Sequence, residues 1–417
     1  MKILSLSHSD VNGGAARAAY RIFEALNESG VDIKMLVKHK GSSNNNVLEI
    51  SEFSKNIIAD KIDIWKTKIE NKYYKNKLKN YNLNGDTFIS NLSSISLKKA
   101  LSSIDFDIIH LHWVSHQFLN VHDLININTP IVWTLHDCFP FTGICHYFDK
   151  CDKYTKSCGS CPVLNSNNEK DLSRDIWNKK AKLYKKLNIN VVTPSKWLGN
   201  CASQSSLFCR FPVSVIPYPI DIEIFKPTNK NPARISLGLN ANKKYVLFGA
   251  MNALVDSRKG FHYFKSAFEY FSSTDTDNTE ILILGSQEND YDSINGYKVR
   301  FMGHVDDEIK LINLLNAADV VVVPSISENL SLVIMESLSC GIPVVAFDIG
   351  GNADMIDHKS NGYLASPYSV EDLSNGIYWC LEHTISNQLS DYSRKKVVDN
   401  FSKNTIANKY QTLYNSL

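Results

Sequence analysis

The chain reads as an α/β protein of two Rossmann-like, doubly wound domains, and three observations predict this. At 417 residues it exceeds what one hydrophobic core usually organises. Short apolar runs of strand length alternate with segments of helical periodicity, the pattern of parallel βαβ units. That pattern runs through the first half of the chain and restarts beyond the proline-rich stretch Ile216-Pro217-Tyr218-Pro219-Ile220-Asp221.

The opening is strand, glycine turn, helix. Ile3, Leu4 and Leu6 form the strand and Asn12-Gly13-Gly14 the turn. Ala18, Ala19, Ile22, Phe23 and Leu26 then recur at helical spacing. Further strands are expected at 33–37, 108–111, 131–135 and 191–193. Proline fixes φ and removes a hydrogen-bond donor, so Pro217, Pro219 and Pro227 mark an interdomain hinge. The first domain is placed at 1–212, with a cysteine-rich loop at 138–162, and the second at 213–400. The second domain's strands are expected at 245–249, 281–285, 320–323 and 344–347. A last helix presents Ile406, Ala407, Tyr410, Leu413 and Tyr414 on one face, so 401–417 is expected to pack back on the N-terminal domain.

Composition is that of an ordinary globular protein, 43% hydrophobic and 21% charged. No apolar run approaches the ~20 residues of a membrane-spanning helix. The start, MKILSLSHSD, turns polar too soon for a signal peptide, so the expected location is the cytoplasm. The net charge of +2 hides an asymmetry. Residues 1–215 carry 28 Lys and Arg against 19 Asp and Glu, a balance of +9, which leaves −7 for the rest. The N-terminal half therefore suits an anionic partner, a membrane surface or a phosphorylated acceptor, although a plain solubility pattern gives the same count. The lysine-rich segment 61–80, with Trp65, Ile69, Tyr73 and Tyr74 among its lysines, fits either a helix lying on an anionic membrane or a solvated helix with a buried stripe. No nucleic-acid partner is expected.

The most specific motif is Pro324-Ser325-Ile326-Ser327-Glu328, followed by Asn329-Leu330-Ser331 and a helix carrying Glu336. It follows a strand, so it sits at the carboxyl edge of a parallel sheet, where open α/β folds bind ligands. Loop N–H groups and the helix N-terminus suit a phosphate, and a carboxylate at Glu336 can accept from both hydroxyls of a ribose. Asp256-Ser257-Arg258-Lys259-Gly260 lies between another strand and a helix. Cations there can meet charge that builds on a leaving diphosphate. Asn12-Gly13-Gly14-Ala15-Ala16-Arg17 is not a complete dinucleotide fingerprint, which weighs against a nicotinamide dehydrogenase. Thr134-Leu135-His136-Asp137 ends a strand, and so does Ile109-His110-Leu111-His112. His110 reads as structural; His112 is left open.

With its Glu-x7-Glu spacing, flanking Pro-Ser, Cys340-Gly341-Ile342-Pro343 tail and Gly350-Gly351, the sequence resembles the retaining GT-B glycosyltransferases of bacterial polysaccharide, O-antigen and capsule biosynthesis. The resemblance implies a GT-B fold, two Rossmann-like domains facing a central cleft. It implies that Glu336 binds the ribose, that Glu328, followed by Asn329, Leu330 and Ser331, lies beside the donor sugar, and that Lys259 contacts the diphosphate. Many relatives carry an extra Arg where this chain has Ala250-Met251-Asn252, which leaves Arg258 as the second cation. Gly13 and Gly14 would let the backbone approach the donor phosphate, and Arg17 would meet anionic groups of the acceptor. His136 would bond a hydroxyl of the donor hexose, while Asp137 would orient that ring or contact the acceptor. The reaction implied is transfer with retention at C1 from a UDP- or GDP-sugar to a lipid-linked glycan. It would run at the cytoplasmic face of the inner membrane, with no catalytic cofactor. A GT-B nucleotide-sugar epimerase and a non-catalytic sugar-nucleotide-binding subunit are the two alternatives.

Nine cysteines, an odd number, argue against a disulfide framework. Cys145, Cys151, Cys158 and Cys161 fall close together, the last two as Cys-x2-Cys, the residue types of a closed tetrahedral zinc site. The first two spacings are wider than usual for zinc, and free thiols are the next reading. A structural zinc here would support a loop poor in core-forming residues.

Overall fold

The computed structural model describes residues 1–53, 57–84, 97–114, 118–119, 121–125, 127–249, 254, 256–270, 276–285, 292–305, 307–383 and 388–417. The chain forms two compact units, Met1–Tyr218 with Ile406–Leu417, and Pro219–Thr405. Among the described residues no helix is long and apolar enough to cross a membrane.

The first unit is built on seven strands: β1 (Lys2–Ser9), β2 (Asp32–His39), β3 (Val47–Glu49), β4 (Ile108–Leu111), β5 (Ile131–Thr134), β6 (Ile189–Thr193) and β7 (Val213–Val215). All pair in parallel, in the order β3-β2-β1-β4-β5-β6-β7. Leu4 of β1 stands between Lys34 of β2 and Ile109 of β4, and the strand order turns there. β4 and β5 are buried at every residue, as strands of a parallel sheet covered on both faces must be. Leu4, Leu6, Leu111, Trp133 and Phe208 belong to the core cluster of this unit. Because Val213 pairs with Val191 on β6, the chain stays in this sheet past 212. The boundary therefore falls after Tyr218, among the prolines, and not at 212.

The second unit carries β8 (Lys244–Gly249), β9 (Thr279–Leu284), β10 (Ser293–Ile294), β11 (Tyr297–Gly303), β12 (Val320–Val323), β13 (Val344–Phe347) and β14 (Gly362–Ala365). Their order is β10-β11-β9-β8-β12-β13-β14, parallel except for the short β10–β11 hairpin. Here the order turns between β8 and β12, so the loops after these two strands emerge at the topological switch point, where open α/β sheets bind ligands.

Helix Ile57–Leu78 has two faces. Tyr74 is buried with Ile144, Cys145, Cys161, Leu164, Leu172 and Ile176 in a small apolar cluster. Trp65, Ile69 and Tyr73, four residues apart, are 64%, 49% and 51% exposed, with Lys68, Lys72 and Lys75 exposed near them.

Three histidines lie inside the first unit at the carboxyl ends of β4 and β5. His110 Nε2 hydrogen-bonds Thr134 Oγ1 at 2.7 Å, and its Nδ1 meets the Tyr414 hydroxyl at 2.7 Å. Tyr410, one turn earlier on helix Lys403–Asn415, reaches the same Thr134 hydroxyl at 3.0 Å. His112 Nδ1 lies 3.3 Å from His136 Nε2, and His136 Nδ1 is 2.9 Å from the Tyr218 hydroxyl. Burial, joined by the neighbouring His136, pushes His110 down to about 3. Burial pushes His136 down to about 4, partly opposed by Asp137. His112 is held well below its ordinary value by burial and by both neighbouring imidazoles.

These rings are neutral in the folded protein across the range where the unfolded chain, titrating near 6.5, takes up protons. Their contribution to stability is therefore complete above about pH 6.5 and is lost as pH falls toward the folded values. Each adds a slope of about 1.4 kcal/mol per pH unit inside that window. Thermal unfolding followed from pH 7 to pH 4.5 should show a falling melting temperature, with a shallower fall in His110→Gln. Equal slopes in the two proteins would show that His110 is not held neutral.

Candidate active site

In the second unit, β12 ends at Val323 and the chain runs through residues 324–331 before helix Leu332–Ser339 begins. Two glycines fix this loop by bringing backbone against backbone. Gly260, at φ +74°, lies so close that a Cβ would stand 1.8 Å from the Pro324 carbonyl oxygen. Gly350, at φ +54°, would place a Cβ 1.7 Å from the carbonyl oxygen of Glu328. No side chain fits at either place, and both left-handed conformations also favour glycine. A third tie is the Ile326 N–H, which donates to the Arg258 carbonyl at 2.8 Å.

The turn carrying Arg258 and Lys259 is therefore locked onto the loop carrying Glu328. Asp256 begins that turn, and its carboxylate accepts from the Arg258 N–H at 3.0 Å. The Arg258 guanidinium grips the same carboxylate with Nε at 3.0 Å and Nη2 at 2.8 Å. Burial alone would raise the Asp256 carboxyl; the bond and charge of Arg258 outweigh it and hold the group below its ordinary range. Lys259 Nζ lies 3.2 Å from Glu328 Oε2, the side chains 30% and 13% exposed. Sequence reading named both residues separately; the structure joins them in one ion pair. Asn329, Leu330 and Ser331 are buried, and Ser331 at the helix N-cap position gives no side-chain cap. Glu336, on the second turn, is buried at 4% exposure. Ala250-Met251-Asn252 lies outside the described residues.

In the first unit, Gly13 and Gly14 follow β1 and open helix Gly14–Glu28. Gly13 needs its freedom for φ +95°, yet a Cβ at either glycine would meet nothing within 4 Å. The space beside this turn is open, and no protein packing requires glycine at 14. Arg17 is half-buried on the first turn of the helix.

His136 and Asp137 follow β5, and their situations differ. The neutral His136 ring stacks on Tyr218 at 5.4 Å and 14°. Asp137 is 2% exposed, and both its oxygens are engaged. Oδ1 accepts from the Phe139 N–H at 2.8 Å, while Oδ2 accepts from Trp113 Nε1 at 2.9 Å and lies 3.0 Å from His146 Nδ1. Burial would raise this carboxyl, but His146 and these hydrogen bonds hold it low. Asp137, expected to orient the ring or contact the acceptor, is thus already bonded through both oxygens by donors of its own unit. Sequence reasoning missed Tyr218 and His146. The signal for Tyr218 was an aromatic ring between two prolines; nothing in the spacing pointed to His146.

The four candidate zinc ligands lie in one loop. Cys145 and Cys161 are buried and hydrogen-bonded to each other, with Cys151 and Cys158 within electrostatic reach of Cys145. Among the described residues, no three His, Cys, Asp or Glu side chains already converge as metal ligands do.

Comparison with known proteins accords with this geometry. The sequence model of Glycosyltransferase Family 4 matches residues 12–224, half of the chain, and that of Glycosyl transferases group 1 matches residues 230–396. An uncharacterized glycosyltransferase of Methanocaldococcus jannaschii is 29% identical over 203 residues, 46% of this chain and 50% of the relative. An Escherichia coli UDP-Gal:alpha-D-GlcNAc-diphosphoundecaprenol alpha-1,3-galactosyltransferase is 25% identical over 213 residues, 48% of this chain and 54% of the relative. The putative colanic acid biosynthesis glycosyl transferase WcaC of the same species is 23% identical, covering 64% and 65%. The chain thus spans about half the length of the first two relatives and just under two thirds of the third. Among solved structures, Anabaena HepE in complex with UDP and glucose superposes with a TM-score of 0.68 at 18% identity, over all of both chains. Sucrose-phosphate synthase from Thermosynechococcus elongatus gives 0.67 at 18% identity, over 100% of this chain and 99% of that one. At such identity the likeness shows the fold, which is that of the GT-B glycosyltransferases. The chain belongs to glycosyltransferase family 4, and its second unit carries the group 1 glycosyltransferase domain.

Proposed function

We propose that the protein is a retaining hexosyltransferase that moves a sugar from a UDP- or GDP-linked donor to a hydroxyl of a growing, lipid-linked cell-surface glycan. The observation that carries this reading is the Lys259–Glu328 pair, held by the Gly260 and Gly350 contacts at the switch point of the second sheet. Such a place suits a nucleoside diphosphate, and a neighbour of the same fold was solved with UDP-glucose. The acceptor class is supported by the E. coli relative whose name specifies a diphosphoundecaprenol-linked substrate.

In this reading the C1–O bond to the diphosphate breaks as the acceptor hydroxyl bonds to C1 from the same face. The departing diphosphate takes the hydroxyl proton. Negative charge grows on its β-phosphate, and Lys259, supported by Arg258 and the loop N–H groups, stabilises it. Glu328 and neutral His136 bind the hexose hydroxyls, and Glu336 binds the ribose. Asn329, Leu330 and Ser331 shape the donor loop, while Gly13, Gly14 and Arg17 meet anionic groups. The exposed Trp65, Ile69 and Tyr73, with Lys68, Lys72 and Lys75, supply a contact for an anionic membrane surface where a lipid-linked acceptor resides.

Three measurements test these assignments. Lys259→Ala should lower turnover by ~100-fold or more while leaving the melting temperature near that of wild type, because the side chain is partly exposed. Wild-type turnover would remove Lys259 from catalysis.

Glu336→Ala should weaken binding of the bare nucleoside diphosphate about tenfold, the cost of roughly 1.5 kcal/mol for a lost charge-assisted hydrogen bond. Glu328→Ala should bind the bare nucleotide nearly as wild type and fail with the sugar-bearing donor. Titration calorimetry separates them, and the reverse ranking would sink the assignment.

Vesicles with anionic headgroups should sediment the protein, and neutral vesicles should do so far less. Trp65→Ser should reduce the bound fraction severalfold. Equal binding to both vesicle types would exclude the electrostatic contact.

A further inference from the structure

The stretch between β5 and the helix that begins at Leu172 is long, and the site chemistry does not explain its order. Residues 135–171 hold only two single-turn segments, Phe139–Phe141 and Lys153–Thr155. Loops beyond about 12–15 residues without regular structure are uncommon and need a cause. The backbone takes left-handed conformations at Asp149, Cys158, Ser160 and Asn165, none of them glycine. The apolar cluster beneath is small, and two of its seven buried members are Cys145 and Cys161 themselves.

The sulfurs of this loop receive backbone N–H groups. Gly143 N–H donates to Cys158 Sγ at 3.2 Å. The N–H groups of Val163 and Leu164 point at the Cys161 sulfur, and that of Lys153 points at Cys151. An N–H arriving from two or three residues beyond its cysteine fixes the direction of the sulfur. Basic side chains stand close by. The Lys180 amine is buried, which pulls it down to about 7, and it donates to the carbonyl oxygens of Phe139 and Thr142. Arg174 Nε donates to the Cys158 carbonyl at 2.9 Å. Four thiolates around a divalent ion carry a net charge of about −2, and the Arg174 guanidinium offsets part of it.

We propose that Cys145, Cys151, Cys158 and Cys161 form a structural site for one zinc ion, which ties the loop together by four thiolate bonds. The side chains stand as neighbours and must rotate toward a common point when the ion binds. Each thiol yields its proton to solvent, and no redox step is involved. The ion holds the loop and takes no part in glycosyl transfer. Its site belongs to the first unit and is independent of the donor assignments.

The full chain, purified under reducing conditions without chelators, should contain about one zinc per molecule by elemental mass spectrometry. Cobalt(II) added to chelator-treated protein should give the visible absorption of a tetrahedral thiolate site. Cys158→Ser/Cys161→Ser should lose the metal, and Cys209→Ser, at an exposed cysteine outside the cluster, should keep it. Should the double variant fail to fold, Cys151→Ser alone and the cobalt titration of wild type decide the matter. Metal-free protein without a cobalt–thiolate spectrum overturns the proposal. So does a Cys145–Cys161 disulfide, found by mass spectrometry of the protein before reduction.

Discussion

Two close approaches of main chain to main chain, Gly260 to Pro324 and Gly350 to Glu328, govern the geometry of the second unit's sheet edge. Residues 324–328 have no helical or strand pairing of their own, so these contacts and the Ile326–Arg258 hydrogen bond define where Glu328 stands. The same contacts define where Lys259 stands, because Gly260 is its neighbour in the chain. Lys259 and Glu328 are thus parts of one rigid assembly, and their ion pair follows from it. A partly exposed pair of this kind contributes at most about 1 kcal/mol to stability. In the proposed reaction its value lies in placement: an ammonium group already in position needs no reorganisation as charge develops.

Both cations of this turn are balanced by acids, Arg258 by Asp256 and Lys259 by Glu328. The local field is then modest in the resting protein, and a bare anion gains less from it than from an unpaired Lys-Arg turn. A group whose charge grows during reaction gains more, because the attraction of a fixed ammonium rises with that charge. That difference between ground state and transition state is what accelerates a reaction, whereas equal attraction to both does not.

Legibility in the sequence followed burial. Strands such as Val320–Val323 and Val344–Phe347, enclosed on both faces, are continuous apolar runs and were readable. β11, Tyr297-Lys298-Val299-Arg300-Phe301-Met302-Gly303, mixes polar and apolar residues because it lies near the sheet edge beside a two-residue partner. β14 begins at Gly362, chosen because a Cβ there would stand 2.3 Å from the Val344 carbonyl oxygen, and so it lacked a strand signature. At the candidate site, Glu328, Glu336 and Lys259 stand out in the sequence because each belongs to a local motif of fixed spacing. Their pairing was not, since Lys259 and Glu328 lie on loops after different strands and meet only through sheet order. The surroundings of Asp137 were not legible either, since Trp113 and His146 reach its carboxylate from outside its own motif.

The Asp137–His146 contact also links the cysteine-bearing loop to the residues that follow β5. Asp137 adjoins His136 in the chain, and an ionised carboxylate at 2% exposure is costly unless its hydrogen bonds are kept. His146 Nδ1 lies 3.0 Å from its Oδ2, and it adjoins Cys145, whose side chain lies in the loop's apolar cluster. The His146 carbonyl in turn accepts from the Cys138 N–H at 3.0 Å. Lifting the loop would break these ties together and leave Asp137 with fewer partners. Whatever orders the loop's cysteines therefore acts, through one histidine, on the aspartate next to His136.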